Sequence, residues 1–307
     1  MVKPSGGIPM PLSSCNTTVD SQGRELLEHG TVAFPVACYH DDLCDNEVPW
    51  HWHEELEAVI VTEGCTIVAA GNQKYTIHAG EGFFINSGVL HGCWNIDASA
   101  CRFHSVVFHP RLVGGSIDSV FYQNYVIPLT ENHCLESIHL KPSVPWQAEV
   151  LKFVEDGWCG CVQEPLAYEF RVRHALSEVI ILLHSNLPAT SHQPSEKAMR
   201  DGERIKVMLQ FIHEHYADEL NTANIAGSAS VSESECLRCF RNTIGTTPIQ
   251  YVRQYRLQQV CQLLASTKEK ISDIAARCGF QDISYFTKIF RETKGMVPSE
   301  YRKLHQL

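Results

Sequence analysis

No run of apolar residues in this chain approaches the ~20 needed to cross a bilayer as a helix; the longest wholly apolar stretch is Val179 to Leu183. A membrane partner is therefore not expected. The first residues also lack a charged-then-apolar leader, so the expected location is the cytoplasm. Basic residues are scarce, with 25 Lys and Arg against 35 Asp and Glu for a net charge of −10. Taken over the whole chain, that balance opposes a nucleic-acid partner. Cysteine, by contrast, is plentiful at 13 residues. At 307 residues the chain is long enough for two domains with their own cores, and a reducing compartment explains the thiols better than a disulfide scaffold. The spacings Cys159-x-Cys161 and Cys236-x-x-Cys239 would suit a metal or redox pair, but the second lies at core spacing on a helix and reads as packing.

The shortage of basic charge is local. From Arg204 onward there are 14 Lys and Arg against 10 Asp and Glu, a net +4, which leaves 11 against 25, a net −14, for the rest. A modestly basic module joined to an acidic one suits a nucleic-acid reader attached to a sensor. The basic module also repeats itself. Phe240-Arg241, Gly245, Pro248 and Tyr251 recur as Phe290-Arg291, Gly295, Pro298 and Tyr301, with Ile225-Ala226 and Ile274-Ala275 upstream. Polar caps (Asn221 and Ser232 in the first copy, Asp282 in the second) and apolar helical spacing predict a helix-turn-helix in each. Between the copies, Tyr251, Leu257, Val260, Leu263 and Leu264 predict a helix from Pro248 to Leu264. Such a rod spans roughly 25 Å, suited to holding two recognition helices on successive major-groove faces about 34 Å apart.

The stretch GFQDISYFTKIFRETKGMVPSEYRK, residues 279–303, resembles the signature of the AraC/XylS family of bacterial transcription regulators, and Arg204 to Lys303 is similar to the whole DNA-binding domain of that family. Position by position, the resemblance implies DNA contacts from Ser234, Leu237, Arg238 and Arg241 in the first recognition helix. In the second it implies contacts from Ile283, Ser284, Thr287, Lys288 and Arg291. Arg238 suits either guanine O6/N7 or a phosphate, Lys288 a phosphate, and Leu237 and Ile283 a thymine methyl. Glu233 and Glu235 are unusual on a DNA-facing helix; they either read cytosine N4 or weaken the first copy.

Residues 1–30 hold Pro4, Gly6, Gly7, Pro9 and Pro11, show no periodicity and are expected to form a flexible arm. Short β-type runs at 32–38, 56–62, 65–70, 74–78, 82–86 and 103–108 predict a barrel or double-sheet roll over residues 31–144. Inside it, His51-x-His53-x3-Glu57-x6-Gly64 and Gly80-x5-Asn86-x-Gly88-x2-His91-x3-Asn95 resemble the two cupin motifs, with Asn86 where a proline is usual. His51 and His53 would share one face of an extended strand, and with Glu57 and His91 they make a 3-His-1-carboxylate set. All four are thus candidate metal ligands. No cofactor is required, because AraC-type sensors retain such a stretch without using a metal. The preferred reading is that His51, His53, Glu57 and His91, flanked by Trp50, Trp52 and Trp94, contact a small polar molecule such as a sugar, with Trp52 and Trp94 as an aromatic plate. A divalent metal and a purely structural hydrogen-bonding role are the alternatives.

After Pro145 the spacing becomes helical, giving two helices within 145–185. The second has more apolar residues than one stripe needs, and AraC-type proteins commonly pair through helices placed here, so Tyr168 to Leu183 is the candidate dimer surface. Residues 186–203 read as a linker and 204–307 as the DNA-binding domain. The expected fold is α+β: a cupin-like N-terminal β-barrel with dimerisation helices, then an all-α domain of two helix-turn-helix motifs joined by a long helix. The expected function is a ligand-responsive, sequence-specific DNA-binding regulator. By resemblance it is an activator acting as a homodimer on promoter DNA, with a small-molecule effector and RNA polymerase as partners. The rival is a metal-dependent cupin enzyme, an oxygenase or isomerase, with an accessory helical domain.

Overall fold

The computed structural model describes residues 12–13, 24–25, 27–43, 47–71, 73–95, 100–132, 134–187 and 196–305. They fall into two compact units, one holding residues 12–13 and 24–200 and the other residues 201–305.

Two sheets make the body of the first unit. One runs in the order β1 (Leu12–Ser13), β2 (Val36–Asp42), β9 (Arg102–Phe108), β4 (Leu56–Glu63), β7 (Gly82–Ile85), β10 (Ser137–Leu140). The other runs β3 (Val48–His51), β8 (His91–Asn95), β5 (Cys65–Ala70), β6 (Gln73–His78). The two-residue period of a strand sorts their side chains. On β4, Leu56 and Ala58 join the core beneath the helices, whereas Val59 and Val61 join a second core between the sheets with Val68, Ile77 and Phe103. Glu57 shares the parity of Val59 and therefore faces the interior. β9 alternates likewise, with Val106 and Phe108 under the helices and Phe103 inside.

Four of these strands, β1, β3, β8 and β10, were not legible as β-type runs, and one expectation of geometry changes with them. His51 ends β3, but His53 lies beyond the strand, and the β3–β8 register shifts between Val48 and His51. Pro49 has no N–H for the ladder, and an irregularity of this kind re-aims a side chain. Val48 and His51, three residues apart, consequently line the same cavity.

Short helices α1 (Arg111–Gly114) and α2 (Ile127–Thr130), with a π-helical turn at Tyr122–Val126 between them, precede α3 (Pro145–Gln163) and α4 (Tyr168–Asn186). Val150, Leu151 and Val154 of α3 and Val172, Leu176, Val179, Ile180 and Leu183 of α4 fill one core with Leu56, Phe84 and Phe108 of the sheet. The apolar surplus assigned to pairing is thus used inside the unit, because α4 packs on both α3 and the barrel. Of the candidate dimer surface, Phe170 and Ile181 stay exposed. The expected linker is also shorter than 186–203: residues 188–195 lie outside the described residues, and α5 (Glu196–His215) begins at 196.

The second unit continues from α5 through α6 (Thr222–Ser228), α7 (Glu233–Cys239), a π-helical turn at Phe240–Ile244, α8 (Pro248–Ser266), α9 (Ile271–Arg277), α10 (Ile283–Lys294) and α11 (Pro298–His305). Asn221, Ser232 and Asp282 accept backbone N–H groups at the helix starts for which they were read as caps. The first recognition helix was expected to run through Arg241; it is α-helical to Cys239 and passes into the π-helical turn. The two copies correspond in their turns and buried positions. Ser230 (φ 54°) and Gly279 (φ 83°) make the left-handed step of each helix-turn-helix, and Gly245 (φ 79°) and Gly295 (φ 71°) close each recognition segment. Cys236, Cys239 and Phe240 in one copy, and Phe286, Ile289 and Phe290 in the other, are buried at helical i, i+3, i+4 spacing.

Because Leu183 is fully buried in the shared core, Leu183→Ala should lower the stability of the full chain by about 2–5 kcal/mol in denaturant unfolding, with no change of association state in sedimentation. Dissociation without loss of stability would put Leu183 itself in the dimer face.

Candidate effector cavity and DNA-reading surface

His51, His53, Glu57 and His91 converge on one small cavity of about 30 Å³. Their nearest ligand atoms all lie within 4.8 Å of one another. Each imidazole is oriented by its other nitrogen. Nδ1 of His51 bonds to the Pro49 carbonyl (2.8 Å), that of His53 to the Glu55 carbonyl (3.1 Å) and that of His91 to the Val89 carbonyl (2.8 Å). A carbonyl only accepts, so every Nδ1 donates to it, and in a neutral ring Nε2 is then left with a lone pair toward the cavity. Nε2 of His91 is 3.0 Å from Glu57 Oε2 and that of His53 is 3.6 Å from it. A neutral ring whose proton is on Nδ1 has none to place in either gap, and Nε2 of both His53 and His91 is buried without a hydrogen-bond partner. The arrangement is that of a cation site: three imidazole nitrogens and one carboxylate, each ring fixed by a second hydrogen bond.

The local chain explains the convergence. Glu57 points inward by strand parity, and His91 opens β8, which pairs with β3 at His51. The turn after β7 holds the backbone at His53, for Gly88 N–H donates to the His53 carbonyl (2.8 Å) and Ser87 Oγ to that of Glu54 (2.7 Å). Asn86, at the position where proline is usual, donates through Nδ2 to the carbonyls of Leu129 and Leu135, both at 2.9 Å, which ties the segment following α2 to the barrel.

Burial and the adjacent His91 push His51 down to about 3, so its ring is neutral at physiological pH. Burial raises the Glu57 carboxyl, and hydrogen bonds and charge from His53 and His91, which act when those rings carry a second proton on Nε2, bring it well below the ordinary range.

Two neighbours were missed by sequence reasoning. Glu25 and His29, in the segment expected to be a flexible arm, are buried in the same cavity. Their i, i+4 spacing was the available signal. Most of that arm lies outside the described residues, but Arg24 pairs with Trp52 in an isolated bridge and Glu25 and His29 belong to the barrel interior. Trp52 and Trp94 were expected beside the ligand and do not line the cavity; Arg24 lies over one ring at 5.9 Å and Lys74 over the other at 5.3 Å.

The two recognition helices differ. On α10, Ile283, Ser284, Lys288 and Arg291 are exposed and Thr287 is half-buried, and all five border one open groove. On α7 and its π-helical continuation, Ser234 and Arg241 are exposed and Leu237 half-buried. Arg238 is engaged within the unit: its Nη2 lies 2.7 and 2.8 Å from the carboxylate oxygens of Asp201 and 2.8 Å from Glu235 Oε1, while Arg204 reaches Glu235 at 3.1 Å. Glu235 thus serves a pairing network between α5 and α7. Cys236 and Cys239 are buried, and burial pushes both thiols up to about 11, the behaviour of packing residues rather than of a reactive pair.

The depressed His51 sets a pH dependence for the cation-free protein. An unfolded histidine takes up a proton near 6.5 and the folded one only near 3, so stability is lost as pH falls through that window, at up to about 1.4 kcal/mol per unit. Denaturant unfolding at pH 7, 6 and 5 with chelator present should show the slope, and His51→Asn should reduce it. An unchanged slope in the variant would remove His51 as its source.

Known proteins agree with this division. Residues 34–146 match the AraC-like ligand binding domain family and residues 225–304 a helix-turn-helix domain family. The uncharacterized HTH-type transcriptional regulator YdeC of Bacillus subtilis (strain 168) is 30% identical over 295 residues, 94% of this chain and 99% of its own. The HTH-type transcriptional activator RhaR of Yersinia pseudotuberculosis serotype O:3 (strain YPIII) is 26% identical over 270 residues, 82% of this chain and 84% of its own. A solved transcriptional regulator with an AraC-type DNA-binding domain, from Chromobacterium violaceum, is 27% identical with a TM-score of 0.33, over 34% of this chain and 92% of that one. A cavity of converging polar groups in an AraC-like ligand binding domain, followed by a doubled helix-turn-helix, makes this chain a member of the AraC family of ligand-responsive, HTH-type transcriptional regulators.

Proposed function

We propose that the chain is a cytoplasmic transcription activator that pairs as a homodimer on promoter DNA and answers to a divalent first-row transition-metal cation held by His51, His53, Glu57 and His91. The observation that carries the effector reading is the size and chemistry of the cavity. At about 30 Å³ it has room for an ion with one or two waters, whereas pockets for organic ligands run to about 300–1,000 Å³. That space favours an ion over a sugar and over an organic substrate of the oxygenase or isomerase alternative. When bound, the cation supplies the positive charge that the three lone pairs and Glu57 face. The chain's own part is to hold the rings by their Nδ1–H bonds and to exclude water. Binding to one arrangement of the regulator more tightly than to another then shifts the population that engages DNA.

Activation is favoured because the relative RhaR is named an activator, and RNA polymerase is the partner that activation implies. Pairing is favoured by membership of the family and by the exposed Leu166, Phe170 and Ile181. On DNA, α10 supplies Ser284, Thr287, Lys288 and Arg291 from an open face, while the first copy contributes Ser234, Leu237 and Arg241 around an Arg238 already paired with Asp201 and Glu235.

Selection of random duplexes by the full chain should return one preferred sequence. Against it, Lys288→Ala should reduce the salt slope of binding by about one, and Arg238→Ala should lower the melting temperature while leaving base preference intact. An unchanged slope removes Lys288 from the phosphate contacts, and relaxed preference at one base pair makes Arg238 a guanine reader. No sequence preference at all would contradict the regulator reading.

A further inference from the structure

Resting on the cation reading of the cavity, we propose that Glu25 is a second carboxylate of that site, supplying the negative charge that matches a dication, and that His29 and Tyr39 are its positioning residues. Glu25 and His29 come from outside both cupin-like motifs and are buried with them.

The chemistry of each contact fixes the order of donors. Glu25 Oε2 lies 3.0 Å from Nε2 of His29, and Nδ1 of His29 lies 2.8 Å from the Tyr39 hydroxyl. A carboxylate accepts, so Nε2 of a neutral His29 is the donor to it, which leaves Nδ1 to accept the Tyr39 O–H. The result is a directed chain from Tyr39 through His29 to Glu25, which sets the carboxylate against the imidazole cluster. Its Oε2 is 3.7 Å from Nε2 of His51. The ligand atoms of Glu25, His29 and His53 also lie within 4.8 Å of one another, so this group adjoins the tetrad through a shared His53. The main chain is fastened beside the ligands as well: Glu25 N–H donates to the Trp52 carbonyl at 2.9 Å, and Arg24 pairs with Glu54 at 3.3 Å.

Charge makes the second argument. Among the described residues no Lys or Arg lines the cavity and Asp41 is a further acidic lining residue, while Glu25 and Glu57 both direct oxygens at imidazole nitrogens. Two buried carboxylates in one cavity carry a desolvation cost that a dication between them would offset. A structural role for Glu25 alone would need only the His29 bond and would not call for its approach to His51.

The test uses the full chain freed of metal by chelator, titrated with Co²⁺ in competition with a chromophoric chelator, with the Co²⁺ absorption spectrum and the ion-free melting temperature recorded together. Wild type should bind one Co²⁺. Glu25→Gln should weaken binding by about 10–100-fold and alter the spectrum at an unchanged ion-free melting temperature, Glu25→Asp should restore part of the affinity, and Tyr39→Phe should weaken binding by a few-fold at the same stoichiometry. If Glu25→Gln does not fold, Tyr39→Phe and Glu25→Asp carry the test. Wild-type affinity and spectrum in these variants would overturn the role of Glu25 and leave the tetrad standing. Failure of the wild type to bind Co²⁺ would overturn the cation site and this proposal together.

Discussion

Three hydrogen bonds from imidazole Nδ1 to backbone carbonyls govern this protein's sensing unit, because they decide what its cavity can accept. With each Nδ1 proton committed to Pro49, Glu55 or Val89, the opposite nitrogens of His51, His53 and His91 converge with Glu57, and neutral rings bring only lone pairs there. Such a set is unfavourable in a dry interior until something positive joins it. Much of the surrounding fold maintains the constraint. The irregularity at Pro49 turns His51 inward, the turn at Ser87 and Gly88 fixes the backbone at His53 and Glu54, and the alternation of β4 delivers Glu57. The helices α3 and α4 back the sheet from the other side with a continuous apolar core.

The helix-turn-helix unit shows how one motif used twice acquires two characters. Both copies share their buried i, i+3, i+4 residues and their left-handed turn positions, since packing and backbone geometry leave little freedom there. Their exposed faces are unconstrained by packing and have diverged. α10 leaves Lys288 and Arg291 exposed at its groove, whereas in α7 the corresponding charge is tied to Asp201 and Glu235. The acidic residues of the first recognition helix, ambiguous in the sequence as base readers or as a weakness, include one whose role is internal pairing.

Features written in local spacing were the ones the sequence made legible. The repeat, its caps, the long helix from Pro248 and the four cavity residues all depend on short-range periodicity or on motif spacing. What stayed hidden depends on long-range partners. The apolar surplus of α4 carries no mark of whether a second molecule or the chain's own sheet covers it. β3, β8 and β10 are short, and the two that carry His51 and His91 hold polar residues on an inward face, which breaks the hydrophobic alternation that betrays a strand. Glu25 and His29 sit in a Pro- and Gly-containing N-terminal stretch whose one signal is their i, i+4 spacing, and only the folded chain brings them to a site formed by residues 51–91. The aromatic plate failed for a similar reason: adjacency of Trp52 and Trp94 to the motifs in sequence does not place them inside the cavity.

The most direct measurement is the affinity of the purified full chain for its selected DNA, taken once after exhaustive chelation and once with one equivalent of divalent cation restored. A regulator switched through His51, His53, Glu57 and His91 should show the two affinities differing by about 5–150-fold, the usual range of coupling between sites, and the difference should vanish in His91→Ala. Identical affinities with the cation bound and removed would contradict the cation as effector.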